Sequence, residues 1–186
     1  MTSKRDQIIT ATRDLIFEQG LQDISMSQIA QRAEVGMGTI YNYFSSKEEL
    51  IFCLYSEIKA AMSAWVLDDD DEGQPVNTRF LHLLTSMASY GIHYPREFRL
   101  AEQLAQVPYI QEQPGANEYA LTAVFHQLFI EAQNQHLLKD MPPTMIVLLI
   151  SGALNALVEA HATHQIQLNE TLIEQAVVAC WDAIKR

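Results

Sequence analysis

An all-α fold is what this sequence predicts, and three observations carry the expectation. Apolar residues recur at three- and four-residue spacing along nearly the whole chain, and no run alternates in the manner of a strand. The turn formers, seven Gly and six Pro, fall mostly between those periodic stretches. The 186 residues are 48% hydrophobic, enough for a sizeable core and outside the disordered range. About nine helices are expected, a short set over residues 1–47 and a larger helical body over residues 48–186.

The first helix runs from about Ser3 to Gln19, with Ile8, Ile9, Thr12, Leu15 and Ile16 on one side and Gly20 as its stop. Ser25 opens the second, and Gln28 three residues on completes a capping box; that helix ends near Ala33. A turn at Glu34-Val35-Gly36 leads to a third short helix, Met37 to Phe44. Ser46 with Glu49 reads as another capping box, starting a long helix that reaches about Leu67. The acidic run Asp68 to Gly73 reads as a solvated linker, because it lacks the spaced ligands of a calcium loop.

Pro75 starts a fifth helix that Tyr94-Pro95 breaks near His93, and a sixth covers Arg96 to Gln106. A break over Pro108 to Gly115 precedes a seventh helix, Ala116 to His136, which Met141-Pro142-Pro143 closes off. Thr144 to Thr163 and Asn169 to Ile184 form the last two. The stretch Met145 to Val158 is shorter than the roughly 20 apolar residues of a membrane span, so no membrane partner is expected. Cys53 and Cys180 lie far apart inside apolar patterns, which fits a reduced cytoplasmic setting.

The net charge of −11 argues on its face against nucleic acid, but it is unevenly spread. Residues 1–47 hold five basic side chains (Lys4, Arg5, Arg13, Arg32, Lys47) and five acidic ones, so the excess acid belongs to the remainder. A neutral first segment can present a locally positive face, with Lys4 and Arg5 as a basic arm, while the acidic body stays clear. Catalytic triads, glycine-rich phosphate loops and paired motif acids are absent, so neither enzyme activity nor a cofactor is expected. His161 and His164 share a helix face near Glu159, but with no third ligand in view no metal is expected either.

Ser25 to Leu50 is the informative stretch. Two short helices joined by a tight turn are a known means of setting the second helix into a DNA major groove. Ala30 is small where the helices cross, Val35 can plug the turn, and Ile29, Ile40 and Phe44 provide a shared core. The third helix is too short to be stable alone and carries Tyr41, Asn42 and Tyr43 in succession, which fan out and cannot all be buried. Phenolic hydroxyls that bond phosphates, and an amide that can bond a base edge, account for that choice.

The pattern Ile8-Ile9-Thr10-Ala11, Leu15-Ile16, Gly20, Ile29-Ala30, Ala33, Val35, Gly38 to Phe44 and Lys47-Glu48-Glu49-Leu50 resembles the TetR/AcrR family of regulators. The likeness covers about the first 55 residues; the rest is similar to the family in length and helix count. The resemblance implies a homodimeric, ligand-responsive regulator of a pseudo-palindromic double-stranded DNA operator, a repressor that a small, largely apolar effector releases. It puts DNA-facing positions on Ser25, Ser27, Gln28, Met37, Gly38, Thr39, Tyr41, Asn42, Tyr43 and Lys47. Thr39, Tyr41, Tyr43 and Lys47 are expected to position phosphates, with Asn42, Gln28 and Met37 nearest the bases.

Three departures stand out: Glu34 where the family has a turn Gly, Gly36 in place of a small polar cap, and Met37 at a position often basic. With the acidic charge, Glu34 and Met37 are what a rival reading rests on, a helical sensor or carrier that no longer binds DNA. The last two helices are apolar beyond what one core-facing stripe requires. Ile146, Ile150, Ala153, Leu154, Leu157, Leu172, Val177 and Trp181 are candidates for a four-helix dimer interface, as the resemblance implies. Trp65, Phe80, Met87, Tyr90, Leu104, Phe125 and Phe129, with His126 as a polar handle, are candidates for an effector pocket.

Overall fold

A computed structural model describes residues 3–113 and 119–186. Over them the chain forms ten helices: α1 Lys4–Gln19, α2 Met26–Arg32, α3 Met37–Tyr43, α4 Lys47–Leu67, α5 Val76–His93, α6 Pro95–Ala105, α7 Pro108–Gln111, α8 Ala120–Asn134, α9 Pro143–Ala162 and α10 Glu170–Ile184. Among the described residues there is no strand, only one antiparallel bridge, Leu138 to Lys185, which ties the turn after α8 to the C-terminus. The all-α expectation holds. The expected break after α6 instead contains α7, whose Pro108 sits at the first helical position, where its missing N–H is no loss. Ala116, taken as the start of the following helix, lies outside the described residues, and that helix is helical from Ala120.

The helix starts follow from side chains. Ser3 and Asp6 form a capping box on α1, and Ser25 with Gln28 one on α2. At α4 the box is staggered: Ser46 accepts from the Glu49 N–H, while the Glu49 carboxylate reaches Ser45, accepting from its N–H at 2.6 Å and its hydroxyl at 2.5 Å. These bonds hold the Glu49 carboxyl below its usual range.

α1, α2 and α3 pack together around Ile8, Leu15, Ile29, Ile40 and Phe44. The long α4 packs against α1 at one end and against α5, α6 and α8 beyond. α5 is the central column of the body, touched by α4, α6, α8, α9 and α10. Its Gly91 admits Val158 of α9 and Phe98 of α6 so closely that a Cβ would lie 2.5 Å from a Val158 methyl. α4 and α9 are each long and apolar enough to cross a membrane, but α4 spends much of its apolar surface on this core.

The acidic run is not a plain solvated linker. Asp70 is only 7% exposed and receives two bonds from the Arg79 guanidinium, Nε at 2.8 Å and Nη2 at 2.6 Å. Asp71 accepts from Gly73 N–H and the Gln74 amide, so the run is a structured turn into α5.

Candidate nucleic-acid interface

α3 is held from below and bare on top. Ile40 and Phe44 are buried among α1 and α2, which fixes the helix despite its seven residues. At about 100° per residue, Asn42 points directly away from that buried pair, with Tyr41 and Tyr43 about 100° to either side. Tyr41 is 54% and Tyr43 46% exposed, and Asn42 and Met37 are exposed as well. An amide thus stands at the crest with a phenol on each flank. A Cβ on Gly38 would meet nothing within 4 Å, so this face admits a close approach.

The turn before α3 confirms one departure. Glu34 adopts φ +54°, a left-handed conformation that costs a non-glycine residue about 1–2 kcal/mol. The backbone bond from Val35 N–H to Ala30 at 3.0 Å holds the turn there. Gly36 caps α3 without a side-chain bond.

Several expected contributors are occupied within the protein. Ser25 hydroxyl and Gln28 amide oxygen serve the α2 cap, and the Gln28 amide nitrogen donates to Gln19 at 3.0 Å. Gln28 is therefore a cap first, its amide oxygen taken by Ser25 and one amide N–H by Gln19; Ser27 stays exposed. Thr39 is half-buried. Lys47 donates its ammonium to the Leu21 carbonyl at 3.1 Å and is half-buried. Arg5 is no flexible arm: it pairs with Glu57 of α4 and lies over the Phe44 ring. Arg32 is tied to Glu18 by two bonds, of 2.9 and 2.6 Å, and Arg13 faces Glu97 at 3.7 Å. Four of the five cations in the first 47 residues thus have internal partners, so neutral hydroxyl and amide groups must carry much of any DNA contact.

A second feature lies in the body. α8 and α9 both rest on α5 and leave between them a cleft of about 580 Å³. Its floor is Phe80, Leu84 and Met87, and Phe125 and Phe129 wall it. Phe80 meets Phe129 edge-on, with centroids 5.5 Å apart. Of the eight residues expected to line a pocket, this cleft gathers Phe80, Met87, Phe125, His126 and Phe129. Trp65 and Tyr90 instead join an aromatic cluster with Tyr94, and Leu104 is fully buried on α6. Sequence reasoning missed the rim, Thr122 and Gln133 on α8 with Thr144 and Ser151 on α9. A seven-residue spacing between the last two was the available signal.

The proposed interface residues divide. Ile146, Ile150, Leu154, Val177 and Trp181 are buried in the protomer's own core, and Ala153, Leu157 and Leu172 are half-buried beside it. The bare apolar surface belongs to their neighbours Met145, Leu148 and Leu149, with Leu148 65% exposed, together with Gly152, Ala156 and Val178.

Comparison with known proteins decides the lineage. The family described as bacterial regulatory proteins, tetR family, matches residues 8–53, and the tetracyclin repressor-like C-terminal domain matches residues 55–186. The chain belongs to the TetR family. A helix-turn-helix transcriptional regulator of Haemophilus influenzae, itself uncharacterized, is 25% identical over all of this chain and 97% of its own length. A putative TetR-family regulator from Vibrio parahaemolyticus is 26% identical, with a TM-score of 0.79 over 99% of this chain and 100% of that one. The fold alone is shared with a TetR-family regulator from Marinobacter aquaeolei, at 20% identity and a TM-score of 0.86 over 98% and 95% of the two chains. This TetR-family chain is accordingly a helix-turn-helix transcriptional regulator.

Proposed function

We propose that this regulator is a cytoplasmic repressor that grips a pseudo-palindromic operator as a homodimer and lets go when a small, largely apolar effector enters the α8–α9 cleft. Residues 1–47 act as the DNA-binding head and residues 48–186 as the effector-binding and dimerisation body. The observation that carries the DNA reading is the face of α3, where a short helix fixed by Ile40 and Phe44 exposes Met37, Tyr41, Asn42 and Tyr43. Those aromatics destabilise an isolated helix and bury little, so their use lies outside the protomer. Tyr41 and Tyr43 bond phosphates, Asn42 reads a base edge, and Met37 meets a thymine methyl.

The bare strip of Met145, Leu148, Leu149 and Gly152 is covered by the same strip of a second copy. That pairing holds two copies of α3 at a fixed separation, which a palindrome with half-sites one helical turn or a multiple apart requires. An effector wedged over Phe80 and Met87 presses on α5, against which α4 packs, and α4 carries the head. A coupling of about 1–3 kcal/mol, a 5–150-fold change in operator affinity, is enough for such a switch.

The test is selection of bound fragments from the source genome at low salt, followed by footprinting. A protected pseudo-palindrome is the expected result. Failure to retain any fragment, with and without apolar ligands, would overturn the reading in favour of a sensor that has lost DNA.

A further inference from the structure

His161 and His164 have no part in the α3 face or the apolar cleft. They stand beside Arg96 and Arg99 around a separate indentation of about 260 Å³, between the start of α6 and the end of α9. The Leu168 N–H donates to Nδ1 of His161 at 3.1 Å, so the neutral ring carries its proton on Nε2 and offers a donor there. Arg99 meets Glu159 through Nε at 3.0 Å, which leaves its terminal amino groups for another acceptor. Arg96 forms no ion pair among the described residues; its guanidinium lies over the Phe17 ring at the end of α1, 4.4 Å from the centroid.

Among the described residues no carboxylate lines this cleft. Of the acids around it, Glu18 is engaged by Arg32 and Glu97 by Arg13, while Glu159 holds Nε of Arg99 from outside the lining. In a chain of net charge −11, this cleft is a place where cationic and N–H donor groups converge without an acidic lining. A metal ion does not suit the set, because two guanidiniums repel a cation and Nδ1 of His161 is already an acceptor.

We propose that this cleft binds a small phosphoryl oxyanion, either free phosphate or the end of a phosphomonoester. The planar forks of two arginines match phosphoryl oxygens pairwise, with the uncompensated charge of Arg96 and the Nε2 donor of His161 beside them, and a tetrahedral oxyanion has more oxygens for these donors than a carboxylate has. The volume exceeds that of phosphate and leaves room for a small organic part. Because Arg96 also rests on Phe17, the ligand sits at the junction between α1 and the body.

Histidine ring NMR on the full-length protein tests this, since the chain has six histidines and four, His82, His93, His126 and His136, do not line the cleft. Potassium phosphate is titrated at fixed pH and ionic strength against chloride. The expected result is a saturating shift of His161 and His164 alone, abolished in Arg96→Gln/Arg99→Gln. Glycerol phosphate run in parallel separates the two sources: tighter binding of the ester points to a phosphomonoester, equal or weaker binding to free phosphate. No shift, a common shift of all six rings, or a shift retained in the double variant would overturn the proposal.

Discussion

Replacing Asp70 by Asn probes a contact that joins the acidic turn to α5. The carboxylate and the Arg79 guanidinium are 7% and 8% exposed and share two bonds of 2.8 and 2.6 Å. Hydrogen bonds to charged groups contribute about 1.5–3 kcal/mol, and removing one partner of a buried pair costs about 3–5 kcal/mol. Asn keeps a carbonyl acceptor for one bond and loses the charge, so a loss of about 2–4 kcal/mol is expected. At about 2–4 °C per kcal/mol for a chain of this size, the melting midpoint falls by roughly 5–15 °C.

The pH dependence has a definite sign. The Arg79 hydrogen bonds hold the Asp70 carboxyl below its usual range against the opposing effect of burial. A depressed folded-state pKa gives stability that is complete above the unfolded value near 3.9 and fades as pH falls through the folded one. Urea denaturation of parent and Asp70→Asn at one protein concentration should therefore show the full gap at pH 7 and 5, narrowing below about pH 4. Equal stability at pH 7 would refute the argument, because the turn would then be the solvated linker its composition implies.

Other outcomes follow from single contacts. Glu34→Gly removes a left-handed strain of about 1–2 kcal/mol against about 0.5–1 kcal/mol of added chain entropy, so denaturation should show a net gain of up to about 1.5 kcal/mol. Gly91→Ala sets a Cβ 2.5 Å from Val158 and 3.3 Å from Phe98. The overpacking, about 1–3 kcal/mol, outweighs the helix-propensity gain, and adding Val158→Ala should recover part of the loss in a double-mutant cycle. Leu148→Glu charges the most exposed point of the apolar strip without touching the core. Light scattering should report a folded monomer, and operator binding should fall with it.

How much the sequence revealed depended on the range of the interaction. Caps that close within three residues, such as Ser25 with Gln28, were legible, as was the burial of Ile40 and Phe44 beneath an exposed run of tyrosines. Partners distant in sequence were not. Nothing local marks Asp70 for Arg79, Arg5 for Glu57 or Lys47 for the Leu21 carbonyl, so an acidic linker and a basic arm were the natural expectations. Along α9 the apolar pattern wraps most of the helix and does not say which stripe faces inward. Ile146, Ile150 and Leu154 took the core, leaving Leu148 and Leu149 outside. The pocket was half legible for a similar reason: aromatic content marked Phe80, Phe125 and Phe129, but Trp65 and Tyr90 pack against Tyr94, Trp65 edge-on.

The central claim is that the bare crest of α3 lies on DNA, and one set of binding isotherms addresses it. Parent, Tyr41→Ala and Asn42→Ala are compared on the selected operator, its single-base variants and unrelated duplex at several salt concentrations. Tyr41→Ala should weaken all duplexes alike, while Asn42→Ala should flatten discrimination at one base pair, a difference of about 1–3 kcal/mol. With Lys4 the one cation of the head left without an internal partner among the described residues, the log–log salt slope of the proposed dimer should be no steeper than about −2. Identical isotherms for all three proteins on every duplex would place the contact elsewhere and contradict the account.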